Sequence, residues 1–140
     1  MTTTEETIRA AIEAYARRDL EGALSHCAET VRFCNIAAPG TGMWTFDCQG
    51  LAAFREALVE INTAFEIEDY RLVELIAAGP RAASRQQLTL VSRATGERFD
   101  TEIADFWTVE HGKITTIHEF NDTAKLAPHH TTSPNRSPNA

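Results

Sequence analysis

The residues best suited to chemistry gather near the C-terminal end of the sequence. Asp105, His118 and Asp122 fall in two segments, Phe99 to Glu110 and Ile114 to Thr123, that read as neighbouring strands joined at His111-Gly112. If His111-Gly112 is a two-residue turn, Glu110 faces Lys113. Counting back then sets Asp105 opposite His118, Trp107 opposite Thr116, Ile103 opposite Phe120 and Thr101 opposite Asp122. Residues two apart on a strand share a face, so Asp105, His118 and Asp122 are expected to converge. Facing an apolar pocket with Trp107, Phe120, Ile103 and Phe33, they would form an acid/base set. Loss of water would raise the carboxyl pKa values, and the Asp105–His118 pair would partly counter that rise.

Each of these residues also has a plain structural role open to it. Asp122 could cap the chain where it leaves the strand, and His118 could be no more than a cross-strand partner of Asp105. Arg85, in Arg85-Gln86-Gln87, depends on the turn at Ala94-Thr95-Gly96. A three-residue turn with a glycine bulge, the form favoured here, places Arg85 opposite Asp105 and holds that acid ionised. A two-residue turn sends Arg85 to the other face, exposed or at a dimer interface. Tyr15 either points its hydroxyl into the pocket or packs between helices. Trp44, Phe46 and Asp47 follow a Gly/Pro-rich loop and are candidates for the pocket rim. No nucleophile elbow, phosphate-binding glycine loop or metal-ligand spacing is present in the sequence, so neither a cofactor nor a metal is expected.

These side chains need a sheet and a cover. Ile8, Ala11, Ile12, Tyr15 and Ala16 recur at helical spacing and predict an amphipathic helix from Thr4 to Arg18. Asp19 reads as the N-cap of a second helix carrying Leu20, Ala23, Leu24 and Cys27. A strand with Val31, Phe33 and Asn35 on one face runs into the loop Ala37 to Gly42. A third helix after Gly50 presents Leu51, Phe54, Leu58 and Ile61. From Ile67 onward the chain reads as a four-strand antiparallel meander broken at Gly79-Pro80, Thr95-Gly96 and His111-Gly112. Apolar residues lie on both faces of its later strands: Ile103, Trp107 and Val109 on one, Ala104 and Phe106 on the other. Helices can cover one face, and a second copy of the chain is the simplest cover for the other, so a homodimer is expected. From Pro128 the sequence turns to Pro, Ser, Thr and Asn and is expected to be a flexible tail, so the domain is assigned to residues 1–127.

Bulk properties narrow the partners. A length of 140 residues suits one domain with one core, and 43% hydrophobic with 24% charged residues is ordinary globular usage. A net charge of -7 opposes binding to nucleic acid or an anionic membrane. No secretory leader pattern or membrane-spanning run is found. Three cysteines, Cys27, Cys34 and Cys48, lack redox or metal spacing and fit reduced thiols in the cytoplasm.

The element order and two stretches carry a family resemblance. Tyr15-Ala-Arg-Arg-Asp-Leu-Glu-Gly-Ala-Leu24, and Phe106-Trp-Thr-Val-Glu-His-Gly-Lys-Ile114 followed by His118-Glu-Phe-Asn-Asp122, resemble the nuclear-transport-factor-2-like superfamily over residues 5–127. That group includes SnoaL-like polyketide cyclases, limonene-epoxide hydrolase and ketosteroid isomerase. The resemblance implies an α+β fold in which a cone-shaped, curved antiparallel sheet, a cystatin-like α+β barrel, is wrapped by N-terminal helices around a cavity. It implies a water-activating carboxylate at Asp122 and a water-positioning amide at Asn35, with Asp105 near the place of the protonated acid of ketosteroid isomerase. Arg85-Gln86-Gln87 resembles the hydrolases' Arg-x-Asp element, but Gln87 replaces its acid and Phe33 replaces a pocket tyrosine. The expected function is cofactor-independent acid/base chemistry on an apolar, ring-containing molecule: isomerisation or cyclisation, dehydration, or epoxide hydrolysis. The alternative is a non-catalytic ligand-binding or dimerisation module of the same fold.

Overall fold

The computed structural model describes residues 2–35 and 45–129. Helix α1 (Thr4–Ala16) begins with a capping box, in which the Thr3 side chain accepts from Glu6 N and the Glu6 side chain accepts from Thr3 N. Its Ile8, Ala11, Ile12 and Ala14 are buried, as the periodicity requires. Asp19 caps α2 (Leu20–Leu24) by accepting from Gly22 N at 2.9 Å. The chain continues through β1 (Cys27–Asn35), β2 (Phe46–Gln49), α3 (Leu51–Ala64), β3 (Phe65–Ala78), β4 (Arg81–Ser92), β5 (Arg98–Glu110), β6 (Lys113–Asn121) and α4 (Thr123–Leu126). The short strand β2 and the one-turn helix α4 are additions to the expected elements.

The strands form one curved, unclosed six-stranded sheet in the order β2-β1-β6-β5-β4-β3. The meander β3 to β6 is antiparallel, while β1 lies parallel to β6 and thereby brings the N-terminal strand beside the last one. Helix α1 packs on β3, and α3 packs on β1, β2 and β3, so both helices cover the same concave face. The core between them includes Ile8, Phe33, Phe46, Phe54, Trp107 and Ile114. This is the cone-shaped α+β architecture expected from the sequence.

The tail expected from Pro128 starts with a seated residue. A short 3-10 helix (Ala127–His129) buries His129, whose ring stacks on Phe99 at 4.6 Å with Nδ1 3.3 Å from Thr95 Oγ1.

Two connections decide which side chains face the cavity. His111 and Gly112 both have positive φ, 52° and 73°, and make the two-residue turn the sequence suggests. Glu110 does face Lys113, but Val109 pairs with Ile114 and Thr108 with Thr116. Thr115 is thus an extra residue, a bulge, and every pair beyond it moves by one place. The β4–β5 connection also differs from the favoured three-residue form. Val91 pairs with Arg98 and Ser92 N donates to Glu97 O, so four residues intervene between Ser92 and Glu97.

Candidate functional site

A one-place shift in a strand exchanges its two faces. Asp105 therefore pairs with Glu119, and His118 pairs with Phe106 on the convex side. Extending the pairing sideways gives a polar row across the concave face: Ser84, Asp105, Glu119 and Asn35 on β4, β5, β6 and β1. Asp105, Glu119 and Asn35 of this row line a cavity of about 140 Å³ between sheet and helices, and Ser84 is buried beside them. Its walls are mostly hydrocarbon, including Ile12, Leu58, Phe65, Leu88, Ile103 and Ile117, and Leu126 of α4 contributes at its edge.

Burial sets the electrostatics. Asp105 is only 2% exposed, and desolvation pushes its pKa well above the usual carboxyl range. The negative charge of Glu119 adds to that rise, while a hydrogen bond from Gln86 opposes it. Glu119 is raised to about 7, chiefly by desolvation, with its polar neighbours Asn121 and Asp105 acting to lower it. Facing carboxyls in apolar surroundings cannot both ionise cheaply, so the pair keeps one proton over a wide pH range, and Asp105 holds it more tightly.

Amides complete the row. Gln86, fully buried, donates from Nε2 to Asp105 Oδ2 at 2.6 Å and to Tyr70 Oη at 3.0 Å. Asn121 Nδ2 donates to Asn35 Oδ1 at 2.8 Å and lies 3.5 Å from Glu119 Oε2. Tyr15 and Tyr70 meet edge to face at 5.2 Å, and burial raises both hydroxyl pKa values. Asp105 Oδ1 is buried and receives no N–H or O–H donor among the described residues, so the side-chain hydrogen bond between Asp105 and Glu119 depends on the proton the two carboxyls share.

The expected set is thus brought together only in part. Asp105, Asn35, Tyr15, Phe33 and Trp107 line the cavity. His118 is exposed on the convex face, and Phe120 is 47% exposed beside it with ring centroids 5.8 Å apart. The Thr115 bulge is the cause for both. Asp122 lies past the end of β6, exposed, and its carboxylate accepts from Lys125 N at 3.2 Å as the N-cap of α4. Arg85 pairs with Ala104 in register, faces outward and bonds to Glu102, so it does not hold Asp105 ionised. Gln87 is also outward, accepting from Arg71 at 3.1 Å. Of the rim candidates, Phe46 is buried in the cavity wall, Asp47 is paired with Arg32 on the convex face, and Trp44 lies outside the described residues.

Glu119, Gln86, Tyr70, Ser84 and Asn121 were not among the residues singled out from the sequence. A usable signal existed for some of them. Ile114 and Ile117 are three apart, which breaks strand alternation and marks a bulge between them. Leu88 and Leu90 alternate inward on β4, which by itself turns Gln86 and Ser84 inward and Arg85 outward.

No group of three or more His, Cys, Asp or Glu residues arranged to hold a metal occurs among the described residues. No helix among them is long and apolar enough to cross a membrane.

Comparison with known proteins agrees with this architecture. An NTF2-like protein from Burkholderia thailandensis E264 superposes with a TM-score of 0.81 at 19% identity, covering 94% of this chain and 100% of that one. TerC, co-crystallised with polyporic acid, gives 0.77 at 23% identity over 91% of this chain and 98% of its own. A Pseudomonas putida KT2440 protein, provisionally named a polyketide cyclase, gives 0.75 at 18% identity over 94% and 100%. No curated protein matches the sequence. The model of the SnoaL-like domain matches residues 8–117, most of the chain, from within α1 to Ile117 in β6, and the chain therefore belongs to the SnoaL-like domain family.

Proposed function

We propose that this chain is a cofactor-independent acid/base enzyme acting on an apolar, ring-containing small molecule, with Glu119 and Asp105 as its working pair. One observation carries the reading: two carboxyls face each other inside a hydrocarbon cavity with separated proton affinities. Near pH 7 Glu119 is poised between its two forms and acts as the base. Asp105 remains neutral and serves as a hydrogen-bond donor to oxygen charge developing on the substrate. The chemistry that fits is transfer of a proton from carbon next to a carbonyl, the first step of an isomerisation or an intramolecular cyclisation. TerC, a structural neighbour, was crystallised with polyporic acid, and other neighbours carry provisional cyclase and isomerase names, which supports a ring-containing ligand.

Deuterium exchange tests the proposal whatever the final product is. Ring ketones small enough for the cavity, with cyclohexanone and indanone as first members, are incubated with the protein in D2O and followed by NMR. Exchange at the α-carbon should be accelerated by the wild type and fall at least about a hundredfold in Glu119→Gln, the range expected for loss of a general base. Exchange that is equal in both proteins would refute the assignment of Glu119. Tight ligand retention by both proteins without any exchange would favour a binding module instead.

The convex face supports a second part of the reading, a homodimer. Ile76, Ala83, Phe106, His118 and Cys34 form a row across it, with Ile76 62% and Phe106 49% exposed. Phe106 and Phe120 meet edge to face at 5.9 Å. A second copy stacked on this face would remove these rings from water. Three free cysteines, all buried, are consistent with a reducing cytoplasmic setting.

A further inference from the structure

The hydrogen bonds behind Asp105 run in one direction. The indole of Trp107 can only donate, and its Nε1 donates to Ser84 Oγ at 2.8 Å. Ser84 donates to Gln86 Oε1 at 2.8 Å. Both hydrogens of the Gln86 amide then go to Asp105 Oδ2 and Tyr70 Oη. Ser84 fixes this sense. With one lone pair taken by the indole, its buried hydroxyl hydrogen needs an acceptor, and the Gln86 carbonyl oxygen is the one it meets. Turning the amide over would set that hydrogen against donors on both sides and strand it in the core, at a cost of about 1–3 kcal/mol.

Two consequences follow at the cavity wall. Asp105 Oδ2 is committed as an acceptor, so a proton carried by this acid sits on Oδ1, which receives no donor among the described residues. Tyr70 Oη is likewise an acceptor toward Gln86, which leaves its own hydrogen unspent, and Tyr70 lines the cavity.

We propose that Trp107, Ser84 and Gln86 are positioning residues, forming a one-way relay that keeps the Asp105 proton on Oδ1 and presents the Tyr70 hydroxyl hydrogen to a carbonyl or phenol oxygen of the ligand. The proposal rests on Asp105 and Glu119 as the working pair and adds the residues that orient it. It also makes Tyr70 a ligand-binding residue.

Side-chain amide NMR of the unliganded protein tests the relay. In the wild type the Gln86 Nε2 hydrogens should show close contacts to the Tyr70 ring, and their shifts should follow the titration of Glu119 near pH 7. In Ser84→Ala the amide is free to turn. Those contacts should weaken, and exchange of the amide hydrogens with solvent should rise about tenfold or more. Amide hydrogens that contact Trp107 Hε1 in the wild type, the reversed orientation, would overturn the relay even if the variant does not fold. An unchanged amide signature in a folded Ser84→Ala would also overturn it. Glu119 titrating like an ordinary exposed glutamate would instead remove the working pair while leaving the amide orientation measurable. For Tyr70, acetophenone and ethylbenzene serve as probes of similar shape. Tyr70→Phe should weaken acetophenone about five- to tenfold and leave ethylbenzene unchanged, whereas equal effects on both, or no effect on either, would overturn that assignment.

Discussion

Replacing Glu119 with Gln should stabilise the protein above neutral pH while disabling it. The sign follows from the proton affinity of the folded state. Glu119 has a folded pKa of about 7 against an ordinary value of 4.5, so the native state binds a proton more tightly than the unfolded chain. Stability of the wild type is then lost as pH rises from 4.5 through 7, because the unfolded chain releases the proton first. The interval at about 1.4 kcal/mol per pH unit corresponds to about 3.5 kcal/mol. Glu119 keeps partial solvent contact, and its titration is shared with Asp105, so about 2 kcal/mol is the working expectation. Glutamine keeps an oxygen that can accept from Asn121 and carries no charge to bury. Urea unfolding of both proteins at pH steps from 4 to 9 reads the effect. The stability curves should lie close together near pH 4 and separate between pH 5 and 8, with Glu119→Gln the more stable by about 2 kcal/mol at pH 8. Against a typical total of about 5–15 kcal/mol, a difference of that size is measurable. Parallel curves across the whole range, or a wild type that gains on the variant as pH rises, would refute burial of a titrating Glu119.

Other outcomes follow from the placements described above. Asp122→Ala removes the cap of α4 and should cost about 0.5–1 kcal/mol, with the proton-exchange activity retained; loss of exchange as severe as in Glu119→Gln would return Asp122 to the site. Phe106→Glu should dissociate the proposed homodimer, so sedimentation should show a species near 15.5 kDa where the wild type sediments at twice that mass. A wild-type protein that is already monomeric at micromolar concentration would remove the dimer. Leu126→Ala widens the cavity edge and should lower stability by about 2 kcal/mol while admitting larger ring ligands, measured by thermal melting and by comparing indanone with cyclohexanone binding.

Much of the architecture is legible in the sequence because it rests on periodicities that tertiary contacts reinforce. Ile8, Ala11 and Ile12 recur at helical spacing and are buried in α1, and Asp19 caps α2 where its side chain has a free backbone N–H to accept from. The strand pairing of β1 with β6 is different in kind. It joins residues about eighty-five positions apart in parallel, and it was not among the expectations, since no local pattern names a distant partner.

The site was half legible, and the half that failed shares one physical cause. Pairings counted outward from a turn carry any irregularity into every later residue, whereas burial is decided strand by strand. Beyond the His111-Gly112 turn, the extra residue Thr115 exchanges His118 for Glu119 in the cavity, so an expected acid–imidazole pair becomes a pair of acids. Beyond Ser92, the four-residue connection exchanges Arg85 for Gln86, so a cation that would have kept Asp105 ionised becomes an amide. Both exchanges push the chemistry the same way. A buried Asp105 flanked by a cation and an imidazole would be a permanent anion, whereas one flanked by an amide and a second carboxyl retains its proton. The apolar neighbours on the same strands already favour the second arrangement: Ile117 and Leu88 cannot face the cavity unless Glu119 and Gln86 do. In this sheet the hydrocarbon positions therefore fix the protonation chemistry, because they choose which polar side chain is shut away from water.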